Sequence, residues 1–178
     1  SNAVQSIFQD AKGFIWIGNS NGLQRFDGSK FITFDPYGTR PEPMPAVAIS
    51  RILPADSGKM WIAAYSIKEF GIFDPAKFSY HKIPLNTSRP LPARTEFKLW
   101  QDEYNQTYLN VFRYGKILKY DPGKSEFNED TELNNIPKGW KTLINVHHDA
   151  LKKQYWIICD SGICVYDESS RQMWSKLN

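Results

Sequence analysis

Val4-Gln-Ser-Ile-Phe-Gln-Asp10, Gly13-Phe-Ile-Trp16-Ile-Gly18, Gly22-Leu-Gln-Arg-Phe-Asp27 and Phe31-Ile-Thr-Phe34 make up, in that order, the first of four copies of one pattern. The tryptophan returns as Trp61, Tyr108 and Trp156, at steps of 45, 47 and 48 residues. The closing aspartate returns as Asp74, Asp121 and Asp167, at steps of 47, 47 and 46. Each copy holds four short apolar runs separated by Gly, Pro, Asp or Asn, which is strand-and-turn punctuation rather than helical periodicity. A fixed period of this size, with four strands per copy, is the mark of an array of β-propeller blades. The fold class is therefore all-β, four repeats of four antiparallel strands.

The blades are expected at about 4–35, 47–83, 95–128 and 141–175. Strand A is read at 4–8, 48–53, 97–100 and 143–146, each followed by a turn-forming Asp10, Asp56, Asp102 or Asp149. Strand B, centred on the large ring, is read at 14–18, 60–64, 107–111 and 155–159. A ring repeated at one place in each blade can fill the wedge between neighbouring sheets. Strand C is read at 22–26, 71–73, 116–120 and 163–166, and each run closes on an aromatic residue followed by Asp. That aspartate opens a turn because its side chain bonds the backbone ahead of it. Strand D is read at 31–34, 78–83, a weak segment near Phe127, and 172–175.

Composition bounds the function. Of the 178 residues 41% are apolar and 15% aromatic, a globular balance able to fill layered sheets. The net charge of +3 is small, and no basic stripe or aromatic-plus-basic RNA signature accompanies it, so no nucleic acid is expected as a partner. The apolar runs are five or six residues at most, too short to span a membrane. Ser1-Asn2-Ala3 reads as the scar of a cleaved expression tag and is set apart from residues 4–178, a partial propeller. A signal peptide or upstream blade would then have been removed, so compartment is not legible from the amino terminus.

Cys159 and Cys164 flank Asp160-Ser161-Gly162-Ile163. With Ser161-Gly162 as a two-residue turn, the cysteines lie opposite each other, which allows a strained cross-strand disulfide. The alternative, which weighs more, is two small buried hydrophobes in a strand pair. Neither is a metal site, since no second ligand pair follows.

The run Ile7-x-x-Asp10-x-x-Gly13-x-Ile15-Trp16-Ile17-Gly18, followed by Gly22-Leu23-x-Arg25-Phe26-Asp27, closely resembles the two-component regulator propeller repeat. Copy one carries it at nearly every position; copy four keeps Trp156-Ile157, Gly162-Ile163 and Tyr166-Asp167. Copy two keeps Trp61-Ile62 and Phe73-Asp74, with two extra residues between strands B and C. Copy three diverges most, with Tyr108 for the tryptophan and Asn105 where a glycine is expected. The resemblance implies the periplasmic sensor region of a hybrid two-component histidine kinase, anchored in the inner membrane. It also implies an arc of a seven-bladed ring, and recognition of oligosaccharides. Kinase activity would belong to other parts of the parent.

No catalytic signature is found. His147-His148-Asp149 sits where strand A ends, aligned with Phe8-Gln9-Asp10, so a turn start is the better reading than a metal or acid–base cluster. No cofactor is implied. The segments that depart from the repeat are better candidates: the B–C loops at 19–21, 65–70, 110–115 and 160–161, and the D–A loops at 35–45, 86–94 and 128–140. On a propeller both sets emerge on one face. Within them Tyr37, Arg40, Tyr65, Lys68, Arg94, Arg113, Tyr114 and Trp140 combine aromatic faces with cationic donors, which suits an oligosaccharide or another small ligand. Two other readings stay open: a fragment of a propeller lyase or glycosidase, and a purely structural or interaction propeller. The outer faces of an arc are apolar, so self-association through them is expected.

Overall fold

The computed structural model describes residues 3–34, 44, 47–112, 114–140 and 143–177. The chain divides into two compact units, residues 1–83 and 84–178. In the first, β1 (Val4–Gln9), β2 (Ile15–Asn19), β3 (Gly22–Phe26) and β4 (Phe31–Thr33) pair in order as one antiparallel sheet. β5 (Arg51–Pro54), β6 (Met60–Ala64), β7 (Glu69–Asp74) and β8 (Ser79–Lys82) form the next. In the second unit β9 (Leu85–Asn86) precedes β10 (Phe97–Gln101), β11 (Thr107–Val111), β12 (Lys116–Asp121) and β13 (Glu126–Glu129). β14 (Leu143–Asp149), β15 (Gln154–Cys159), β16 (Gly162–Asp167) and β17 (Gln172–Leu177) complete it. The described helical structure amounts to two 3-10 turns, Asp56–Gly58 and Tyr65–Ile67. No described helix is long and apolar enough to cross a membrane.

The turns explain the repeated aspartates. Asp27 Oδ1 accepts the backbone N–H groups of Ser29 and Lys30, both at 2.9 Å. Asp74, Asp121 and Asp167 accept from Ala76, Gly123 and Ser170 at 2.9, 2.8 and 2.8 Å. At Asp10 and Asp102 the turn between strands A and B is held the same way, and there the second carboxylate oxygen also reaches a ring. Asp10 Oδ1 accepts from Lys12 and Phe14 while its Oδ2 accepts Trp16 Nε1 at 2.8 Å. Asn105 takes the position of Gly13 and adopts a left-handed φ of 61°, a conformation asparagine tolerates better than most residues.

Two sheets meet in each unit along one kind of seam. In the first unit Trp16 and Leu23 face Ile52, Met60, Ile62, Phe73 and Tyr80 in a single buried cluster. The Trp16 and Phe73 rings meet edge to face with centroids 5.7 Å apart, and Ser6 Oγ accepts the Ile52 N–H at 2.9 Å. Gly18 must lack a side chain here, because a Cβ would lie 2.7 Å from the Ile49 carbonyl oxygen. In the second unit Trp100, Tyr108 and Ile117 face Val146, Tyr155, Ile157, Cys164 and Tyr166.

Three sequence expectations are corrected. Strand A of the second sheet begins at Arg51 rather than 48. Leu85–Asn86, expected to be loop, forms a fifth strand parallel to β13. It occupies the open edge of that sheet, where Phe127 N–H donates to the Pro84 carbonyl at 2.9 Å. At the cysteines the two-residue turn is Asp160-Ser161, so Cys159 pairs with Gly162 and Cys164 with Ile157. The thiols are diagonal neighbours, which lie about 7–8 Å apart in such a ladder and beyond easy bridging. Both are free and buried, and burial, with the nearby Cys164 and Asp160, pushes the Cys159 thiol up to about 11.

Two outcomes follow from this packing. Trp16→Ala should destabilise the first unit by about 3–5 kcal/mol in urea unfolding, the range for emptying an aromatic core site. Hydrogen bonds from Lys30 and Ser29 hold the Asp27 carboxyl down at about 2. A depressed carboxyl stabilises the fold above its unfolded value near 3.9 and loses that contribution as pH falls toward 2. The urea midpoints of wild type and Asp27→Ala should therefore differ at pH 5 and converge toward pH 2.

Candidate functional site

The most densely connected loop cluster lies in the second unit, where the B–C turn of the third sheet meets the segment after β9. Tyr114 is buried, and its hydroxyl donates to Glu129 Oε1 at 2.6 Å. The same oxygen accepts Ser88 N–H at 2.9 Å and Ser88 Oγ at 2.8 Å. The Tyr114 hydroxyl lies 3.3 Å from the Arg89 N–H, which donates to it. The Arg89 guanidinium stands 4.8 Å from the Tyr114 ring centroid and donates to the Tyr114 carbonyl at 3.4 Å. Lys116 Nζ is 3.9 Å from the other Glu129 oxygen. Burial raises the Glu129 carboxyl, but the donors from Tyr114 and Ser88, with Lys116, outweigh it and leave it below the usual range. This cluster fixes the loop after β9 to the edge of its sheet.

The other expected site residues are distributed as follows. Tyr37, Arg40 and Arg113 lie outside the described residues. In the first unit Tyr65 opens the 3-10 turn, its ring 6.1 Å from that of Phe70, and its N–H donates to Ser50 Oγ at 3.2 Å. Lys68 ends that turn in the left-handed region, φ 56°. In the second unit Arg94 is exposed on the turn before β10. Trp140 is half-buried, packed on the apolar cluster that fills that unit's seam. The structure thus joins Tyr114 to Ser88, Arg89, Lys116 and Glu129. Of this group the sequence reading named only Tyr114 as a candidate. Ser88 and Arg89 lie on a loop it did recognise, and their pairing with Tyr114 has no signal in spacing.

His147-His148-Asp149 does not converge on a metal or a proton. His147 is exposed, opposite Trp156, whereas His148 is buried on the other face. His148 Nδ1 accepts Glu103 N–H at 3.2 Å, which leaves its proton on Nε2, 3.4 Å from Glu168 Oε2. Asp149 Oδ1 accepts Lys152 N–H at 3.1 Å, the turn-forming role. Beside His148 the ring of Tyr155 stacks at 4.3 Å, and its hydroxyl donates to Asp102 Oδ2 at 2.7 Å. Tyr108 donates in turn to Tyr155, at 3.2 Å. Burial pushes both phenols far above their ordinary value, so they stay neutral hydrogen-bonding groups of the seam.

Comparison with known proteins agrees with the fold. The family model for the two component regulator propeller matches residues 1–21, the start of the copy that carries the repeat most fully. A search of curated protein sequences finds no match. The chain is similar to the extracellular domain of a hybrid two component system from B. thetaiotaomicron, with TM-score 0.70 and 17% identity, over 100% of this chain and 25% of that one. It is also similar to virginiamycin B lyase from Staphylococcus aureus, with TM-score 0.65 and 12% identity, over 99% of this chain and 56% of that one. The chain thus spans a quarter and about half of the structures it matches. These identities carry the fold, an all-β array of propeller blades.

Tyr114→Phe should keep the ring packing and remove the hydroxyl. A hydrogen bond to a charged acceptor is worth about 1.5–3 kcal/mol, so amide exchange at residues 85–89 should quicken by about one to two orders of magnitude. Unchanged protection there would show that the hydroxyl does not hold the loop.

Proposed function

We propose that this chain is the ligand-recognition segment of a two-component regulator, held on the periplasmic side of a membrane-anchored parent, without catalysis of its own. The observation that carries this reading is the match of the regulator-propeller family model to the first repeat. The fold-level likeness to an extracellular domain of a hybrid two component system is consistent with it. The ligand class proposed is an oligosaccharide. Sugars are recognised by flat rings for stacking and by donors for hydroxyls or carboxylates, and the B–C and D–A loops supply both residue types. Tyr65 and Lys68 would serve in the first unit, Arg94 and Trp140 in the second, with Tyr37, Arg40 and Arg113 added on loops of the same class. Tyr114 acts indirectly, by holding the loop that presents Arg89.

Thermal melts against a panel of oligosaccharides, neutral and acidic, test the reading. One class should raise the melting temperature with a saturating dose dependence. Arg94→Ala and Trp140→Ala, each referred to its own ligand-free melting temperature, should weaken that response about tenfold or more in apparent affinity. A panel without any shift removes the oligosaccharide proposal. New reducing ends during incubation would replace sensing with a propeller enzyme.

A further inference from the structure

The seam within each unit joins two unlike faces of a blade. The forward face carries the strand-B ring, and the receiving face carries the residues one step out of phase with it. Trp16 and Leu23 form a forward face, while Ile52, Met60, Ile62, Phe73 and Tyr80 form a receiving face, all of them at most 3% exposed. The second unit repeats the arrangement, with Tyr108 and Ile117 forward and Val146, Tyr155, Ile157 and Tyr166 receiving. In both seams unlike faces meet.

Among the described residues each unit also carries one such face left exposed. On the last sheet, cross-strand pairing sets His147, Trp156, Val165 and Trp174 in one row and Asn145, Ile158 and Ile163 in another. Trp156, Ile163 and Trp174 hold the register positions of Trp16, Leu23 and Ile32, yet they are 36%, 42% and 48% exposed. On the first sheet Ile7, Ile15, Ile17, Phe26 and Phe31 hold the positions of Ile52, Met60, Ile62, Phe73 and Tyr80. Ile7 and Phe31 are 65% and 60% exposed there. Exposed tryptophans and isoleucines in contiguous rows are what an interaction surface presents.

We propose that the forward face of the last sheet, Trp156, Ile163 and Trp174, takes the receiving face of the first sheet, Ile7, Ile17 and Phe31, of a second copy of this chain. The contact reproduces between chains the seam that each unit contains. The argument for a second copy is positional: both halves of the seam are present on one chain in the register of the buried seams, and each exposes large apolar side chains among the described residues. Pairing of unlike faces is heterologous, and such contacts close when the rotation between copies allows. The inference rests on the fold and is independent of any ligand.

Complementation tests it. Light scattering should give the wild-type chain at least twice its 20.6 kDa mass. A forward-face variant, Trp156→Glu with Trp174→Glu, and a receiving-face variant, Ile7→Glu with Phe31→Glu, should each be monomeric while keeping wild-type near-ultraviolet circular dichroism. Mixed in equal amounts they should recover a dimer, because one intact face of each kind remains. A receiving-face variant that still dimerises would show like faces pairing and overturn the proposal. So would a wild-type chain that stays monomeric at its highest soluble concentration, which would leave these faces to other repeats.

Discussion

The ring that strand B sends into the neighbouring sheet is the contact on which each two-sheet unit depends. A single repeat unit cannot bury its hydrophobic face alone. A blade becomes stable when its forward face is covered by the receiving face of the next. Trp16 does this against Met60, Ile62 and Phe73, and Tyr108 does it against Tyr155 and Ile157. The two solutions differ in chemistry. Trp16 keeps its indole donor satisfied within its own blade, on Asp10. Tyr108 brings a hydroxyl into the seam, and its partner Tyr155 must pass the hydrogen bond on to Asp102. Replacing the tryptophan in copy three therefore brought a polar chain with it, because a buried hydroxyl without a partner is costly.

The same carboxylates also set the turns, and this ties local structure to packing. Asp102 Oδ1 accepts the N–H groups of Tyr104 and Gln106 while Oδ2 holds the Tyr155 hydroxyl. One side chain thus shapes the A–B turn and fixes the position of a ring across the seam. Asp10 divides its oxygens likewise between a turn and Trp16. Aspartate suits the position because glutamate would carry its oxygens one methylene too far to close the turn. Asparagine would offer one accepting oxygen where two are used.

This division explains what could be read from the amino-acid order. The strand-B ring and the turn aspartates recur at fixed spacing because each has a local job, and local jobs leave periodic traces. The sheets, their strand order and the all-β class were legible for that reason. The fifth strand at Leu85–Asn86 was not, since it adds to the edge through backbone groups that any residue supplies. The cysteine turn was misread by one residue. Gly162 aligns with Gly22 as the first residue of strand C, and both hold positive φ, 145° and 117°. Tyr114 looked like a recognition residue because Phe112-Arg113-Tyr114-Gly115 is aromatic and basic on a loop. Its hydroxyl instead answers Glu129 on the adjoining strand, a pairing that only the fold reveals.

That reassignment bears on how such a surface could recognise anything. A loop that must present donors to a ligand loses affinity if it has to be ordered on binding. In the second unit the loop after β9 is already ordered, tied by Ser88 and Arg89 to a tyrosine and a carboxylate that the ligand need not touch. The Arg89 guanidinium, lying over the Tyr114 ring, is held in place by its stacking and by the Tyr114 carbonyl. The divergence of copy three from the repeat then has a physical reading. Tyr114, in the B–C loop of that copy, helps to pre-order the loop after β9, while Tyr108, in the place of the tryptophan, still holds the blades together.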